Sequence, residues 1–95
     1  MIERHLTFNV IPARALEFEG FFADTYGPAM SSVPGFVRAD LVRETKNPAR
    51  YRMMYRFQDA ASAAAWRSSQ EHDRLQPSLN AMHVGSEVTA YDVVA

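Results

Sequence analysis

The chain has 95 residues, ten basic side chains against eleven acidic ones, a formal net charge of -1 and no cysteine. Neither charge sign forms a run, which argues against a nucleic-acid or anionic-membrane partner. The missing thiols exclude disulfides, thiolate nucleophiles and cysteine-based metal sites.

Hydrophobic residues make up 47% of the chain and aromatics 12%. That is more apolar material than one thin sheet and two helices can hide, so self-association is expected. The basic set is nine Arg with Lys46 alone beside them, and the planar guanidinium suits interface ion pairs better than an ammonium does. No N-terminal stretch reads as a signal peptide, and none approaches the ~20 apolar residues of a bilayer crossing. A soluble, cytoplasmic protein is expected.

Residues 2–11 alternate, with Ile2, Leu6, Phe8 and Val10 on one parity and Glu3, His5, Thr7 and Asn9 on the other, the pattern of a strand with one apolar face. Pro12 ends it. From Ala13 to Ser32, Leu16, Phe18, Phe21, Phe22, Tyr26 and Met30 recur at spacings of three and four, an amphipathic helix that Gly27 and Pro28 should kink. Pro34 and Gly35 mark a turn. Residues 36–44 and 50–58 alternate again and read as an antiparallel hairpin. Asp59 predicts the N-cap of an Ala-rich helix running to Trp66 or Arg67. Ser68 and Glu71 fit a capping box that starts a second helical piece carrying Leu75, Leu79 and Met82, disturbed by Pro77 and closed by Gly85. Residues 86–94 form the last strand.

This order predicts one α+β domain over residues 1–95, a ferredoxin-like βαββαβ sandwich with both helices on one face of a four-stranded antiparallel sheet. Parity gives the helices Leu6, Phe8, Val37, Leu41, Met53, Tyr55 and Phe57. The other face keeps His5, Thr7, Asn9, Arg38, Asp40, Arg52, Met54 and Arg56. Such a face tolerates water. The surplus apolar mass favours a homodimer in which two sheets meet, with Arg38, Arg52 and Arg56 paired to Asp40, Glu44 or Glu87.

Several segments, in order and spacing, resemble the antibiotic biosynthesis monooxygenase family, a branch of the dimeric α+β barrels. They are HLTFNV at 5–10, FEGFFADTYGPAM at 18–30, PGF at 34–36, YRMMYRFQDAASAAAWRSSQEH at 51–72 and VTAYDVV at 88–94. The most specific piece is the strand followed by a helix with Trp66, Ser69 and the Glu71-His72 pair. The resemblance implies a homodimer whose sheets join into a barrel, with a pocket in each subunit between sheet and helices. It does not imply one activity, because the family includes cofactor-free monooxygenases that turn aromatic polyketides into quinones, haem-degrading enzymes and proteins without an assigned role. The haem-degrading branch uses a first-strand Asn, a helix Trp and a His about three turns beyond it. Trp66 matches, but Arg4 stands at the Asn position and Leu75 or Gln76 at the His position, leaving only His72 or His83 to ligate iron.

Each candidate side chain has a plain structural reading beside a chemical one. Trp66 reads as core, or as one wall of an aromatic pocket for which the small Ala61, Ala64 and Ala65 leave room. His72 reads as part of a polar turn, or as a base at the pocket mouth, since an imidazole titrates near pH ~6.5 without tuning. Tyr26 and Tyr55 are expected to face each other across helix and sheet, as buried hydroxyls or as groups orienting a phenol. Arg4 shares the helix-facing parity of the first strand and suits an anionic oxygen, while Phe22 and Met53 complete a substrate lining. His5 and Asn9 fall on the interface face, and His83 on a helix end. The three histidines have no metal-ligand spacing, so no metal is expected.

The leading expectation is a cofactor-independent monooxygenase oxidising a small phenolic or polyketide-like aromatic with O2. An electron-rich phenolate reduces O2 by itself, so the protein need only bind, deprotonate and desolvate it. The alternatives are a non-catalytic small-molecule-binding or stress-related dimer, and haem binding or degradation.

Overall fold

The alternating stretches become four strands, β1 (Ile2–Val10), β2 (Phe36–Arg43), β3 (Arg50–Phe57) and β4 (His83–Asp92), in a computed structural model that describes all 95 residues. They form one antiparallel sheet in the order β2-β3-β1-β4. A 3-10 turn (Pro12–Arg14) leads into α1 (Ala15–Phe21), a π-helical segment (Phe22–Tyr26) and α2 (Gly27–Ser31). The second connection is α3 (Ala60–Arg67) followed by α4 (Gln70–Ala81). The fold is therefore the ferredoxin-like α+β arrangement that the pattern predicts.

Alternate residues of the central strands, Phe8, Val10, Tyr51, Met53, Tyr55 and Phe57, meet Phe18, Tyr26, Met30, Trp66, Leu75 and Leu79 from the helices in one buried cluster. No charged or polar side chain is fully buried. The driving force is the removal of this apolar and aromatic surface from water. No helix is long and apolar enough to cross a membrane.

Local chemistry moves several elements from where the sequence pattern puts them. In the first helical stretch the Gly27 N–H reaches back to the Phe22 carbonyl, a turn one residue longer than an α-turn. A Cβ on Gly27 would lie 2.9 Å from that oxygen, so glycine is what lets the wide turn close. The stripe becomes Phe18, Tyr26 and Met30, all buried, while Leu16 is 82% exposed. In β2 a bulge between Phe36 and Arg38 makes Val37 the extra residue. Phe36 packs against the core in its place and Val37 faces solvent.

The cap of α4 is Ser69, one residue after the predicted Ser68: its hydroxyl accepts from the His72 N–H. Pro77 does not break α4; it and Asp73, whose carbonyl it leaves without a partner, are both exposed. Gly85 does not end the helix but lies inside β4, where the register with β1 shifts between Phe8 and Val10. His83 is thus the first residue of a strand rather than a helix end.

On the open sheet face three arginines find carboxylates within the chain. Arg38 bonds Asp40 at 2.7 Å, Arg56 bonds Glu3 at 2.7 Å and Arg50 bonds Glu44 at 2.7 Å. Only Arg52 of the three arginines assigned to interface pairing lacks a carboxylate.

Candidate functional site

Arg4 points the same way as Leu6 and Phe8, as its parity requires, and sits directly opposite Tyr55 of β3. Its Nη1 donates to Tyr55 Oη at 2.8 Å, and its guanidinium carbon lies 5.7 Å from the Tyr55 ring centre. These two residues line a cavity of about 290 Å³ bounded by β1, β3, α4 and the start of β4, into which Tyr26, Arg67, His72 and His83 also reach.

Tyr26 and Tyr55 are nearly inaccessible, at 2% and 3%. Burial raises the pKa of both hydroxyls. At Tyr26 the neighbouring Tyr55 adds to the rise, and Trp66 and Arg4 oppose it. At Tyr55 the charges of Arg4 and Arg67 pull back. Both hydroxyls therefore stay protonated and can donate hydrogen bonds at neutral pH.

His72 occupies the first turn of α4 and is held there by Ser69, whose hydroxyl donates to the Trp66 carbonyl at 2.7 Å and accepts from the His72 N–H at 3.2 Å. The His72 ring meets Trp66 edge to face, with centres 5.3 Å apart. His83 lies 4.9 Å from the Phe8 ring, and burial lowers its pKa below 6.5, with the Gly85 backbone opposing. The Nδ1 atoms of His72 and His83 are both buried without a hydrogen-bond partner.

Of the residues the sequence singles out, Arg4, Tyr26, Tyr55 and His72 thus meet at one cavity. Trp66, 1% exposed, stands behind it, edge-on to Tyr26 at 5.4 Å and to His72. Ala61, Ala64 and Ala65 are exposed on the outer side of α3 and make no room beside Trp66. Met53 is fully buried in the core. Phe22 lines a different, open groove of about 620 Å³ against β2, with Glu19 and Tyr51.

The cavity also gathers residues that sequence reasoning passed over: Arg67, Gln76, Asn80 and, as a cavity group, His83. One signal for them was present. His72, Gln76 and Asn80 fall at i, i+4 and i+8, a polar row along one face of α4 beside the buried Leu75 and Leu79. Gln76 Nε2 donates to Asn80 Oδ1 at 2.9 Å along that row. No three His, Asp or Glu side chains converge as a metal site would require.

An antiparallel sheet with helices over one face, and a cavity between the layers, is the architecture of the ferredoxin-like α+β class. The chain belongs to the antibiotic biosynthesis monooxygenase family, whose sequence model matches residues 1–78. Among solved structures it is similar to a point mutant of SnoaB from Streptomyces nogalater, described as a cofactor-independent oxygenase. That match has 25% identity and a TM-score of 0.87, and covers 97% of this chain and 91% of that one. A Deinococcus radiodurans protein named provisionally for the same family superposes with a TM-score of 0.89 at 11% identity, over 100% of this chain and 94% of that one. A conserved protein from Methanosarcina mazei Go1 gives 0.85 at 19% identity, over 95% and 89%. No curated protein sequence matches the chain.

Proposed function

We propose that the protein is a cofactor-independent monooxygenase that oxidises a small phenolic, polyketide-like aromatic with O2 in the cavity beside Arg4, and that it works as a homodimer. The observation that carries this reading is the meeting of the Arg4–Tyr55 pair, the Tyr26 hydroxyl and the His72 imidazole around one cavity. Family membership supports the oxygenase class, and the likeness to SnoaB supports the absence of a cofactor requirement.

In this mechanism His72 takes the phenol proton, and Arg4 with the Tyr55 hydroxyl stabilises the resulting phenolate. The phenolate passes one electron to O2, giving a substrate radical and superoxide, which join at a ring carbon ortho or para to the phenolate oxygen that carries one hydrogen, and the proton held by His72 converts the adduct to a hydroperoxide. Loss of water from that peroxide leaves a carbonyl. One oxygen atom stays in the product and the other leaves as water, so the substrate's four electrons balance the reduction of O2. His83, neutral at pH 7 because burial lowers its pKa, is a second proton acceptor on the same space.

Dimerisation through the open sheet face and the β4 edge is supported by exposure: Ser86 to Asp92 are exposed throughout, with Val88 at 51% and Tyr91 at 48%. The test of the enzymatic reading is oxygen uptake with a panel of hydroxyanthrones and hydroquinones in chelator-treated buffer. Uptake above the protein-free rate, lost in His72→Gln, is expected. A rate equal to buffer across the whole panel overturns it.

A further inference from the structure

Arginine pairing divides this molecule unevenly. Six of the nine arginines hold a carboxylate within 3.2 Å: Arg14, Arg38, Arg43, Arg50, Arg56 and Arg74. The three that hold none are Arg4, Arg52 and Arg67. Arg52 lies on the open sheet face, whereas Arg4 and Arg67 come from elements far apart in sequence and meet at the same cavity.

The chain carries eleven acidic residues, yet none of the thirteen residues lining this cavity is Asp or Glu. Arg4 spends one of its five donors on the uncharged Tyr55 hydroxyl. Arg67 is exposed at the end of α3. An unpaired cation inside the site and another at its edge, with no internal counterion, form a field that favours an anion entering from solution.

We propose that the substrate of this cavity carries a carboxylate, distinct from the phenol that reacts, and that Arg67 binds it at the cavity edge. The ligand class is a small hydroxyarene carboxylic acid. The inference rests on the reading of the cavity as the substrate site and adds to it a selectivity that oxygenation of a neutral phenol does not need. A carboxylate suits the position because its two oxygens match the edge of a guanidinium. The volume, about 290 Å³, lies at the small end of ligand sites and suits a one- or two-ring compound.

The test is anaerobic calorimetric titration of the full chain with a hydroxynaphthoate, its methyl ester and the corresponding aryl phosphate, so that binding is read apart from turnover. The acid is expected to bind at least about tenfold more tightly than the ester, the margin of a hydrogen-bonded charge. Arg67→Gln is expected to bring the two affinities together by weakening the acid while leaving the ester unchanged. Arg67 is exposed, so this variant retains the fold. Equal binding of acid and ester by the unmodified protein overturns the proposal, as does an acid preference that survives Arg67→Gln. Tighter binding of the phosphate than of the carboxylate overturns the assignment of the anion. Oxidation of neutral phenols without an acid preference would leave the oxygenase reading standing and remove this one, while an acid preference without oxygen uptake would do the reverse.

Discussion

Arg4 and Tyr55 face each other in register on neighbouring central strands, joined by a hydrogen bond of 2.8 Å from guanidinium to hydroxyl. The pair places a permanent positive charge at a position where a strand of this parity would otherwise carry an apolar side chain.

Replacing Arg4 by Met removes that charge while keeping a long apolar stem. Steady-state kinetics on a phenolic substrate should show kcat/KM falling about 10- to 100-fold, the range of one charge-assisted hydrogen bond to the developing phenolate. Tyr55→Phe keeps the ring beneath the guanidinium and should lose less.

Stability should respond to pH in two separate windows. The folded-state pKa of His83 lies below its ordinary 6.5 because burial penalises the cation. The unfolded chain therefore binds more protons in this window, and stability is complete above pH 6.5 and falls as acid carries the pH down through the lower folded value. Glu3 sits below 4.5, because bonds from His5 and Arg56 favour its carboxylate. Its contribution is present above 4.5 and is lost only below that. Urea midpoints for the protein and for His83→Gln at about pH 7.5 and about pH 5.5 should show the drop shrinking in the variant.

Trp66 is 1% exposed and touches Tyr26 and His72 edge-on. Trp66→Ala should cost about 3–5 kcal/mol in urea denaturation, and Trp66→Phe distinctly less. This aromatic holds the cavity wall from behind.

Gly35 has φ of +93° and its missing Cβ would stand 2.2 Å from Ser62 Oγ. Gly35→Ala should destabilise by about 1–3 kcal/mol from backbone conformation alone, with displacement of Ser62 added. The double variant with Ser62→Ala should recover the second part only, which thermal denaturation of the pair measures.

The sheet was legible because alternation survives into burial along β3, at Tyr51, Met53, Tyr55 and Phe57, and at the end of β1, at Phe8 and Val10. Asp59 was legible as a cap because its geometry is local. Part of what the pattern missed depends on a single inserted residue: the bulge that turns Val37 outward shifts phase without changing composition, whereas Leu16 is exposed because it lies two residues, about half a helical turn, from the buried Phe18. The site followed the same rule. Arg4 could be found from its parity, and Tyr26 and Tyr55 from their faces. Arg67 could not, because it joins the cavity only through the way α3 ends against β3. His83 was misplaced with the start of β4, and Phe22 was carried to a separate groove by the widened turn that Gly27 permits.

The most direct measurement is a crystal structure of the protein grown anaerobically with a hydroxynaphthoate. The account predicts the ring in the space between Arg4, Tyr55 and His72, its hydroxyl within hydrogen-bond reach of His72 and its carboxylate on Arg67. A ligand seated instead in the groove beside Glu19, Phe22 and Tyr51, or a cavity closed by its own side chains, would contradict it.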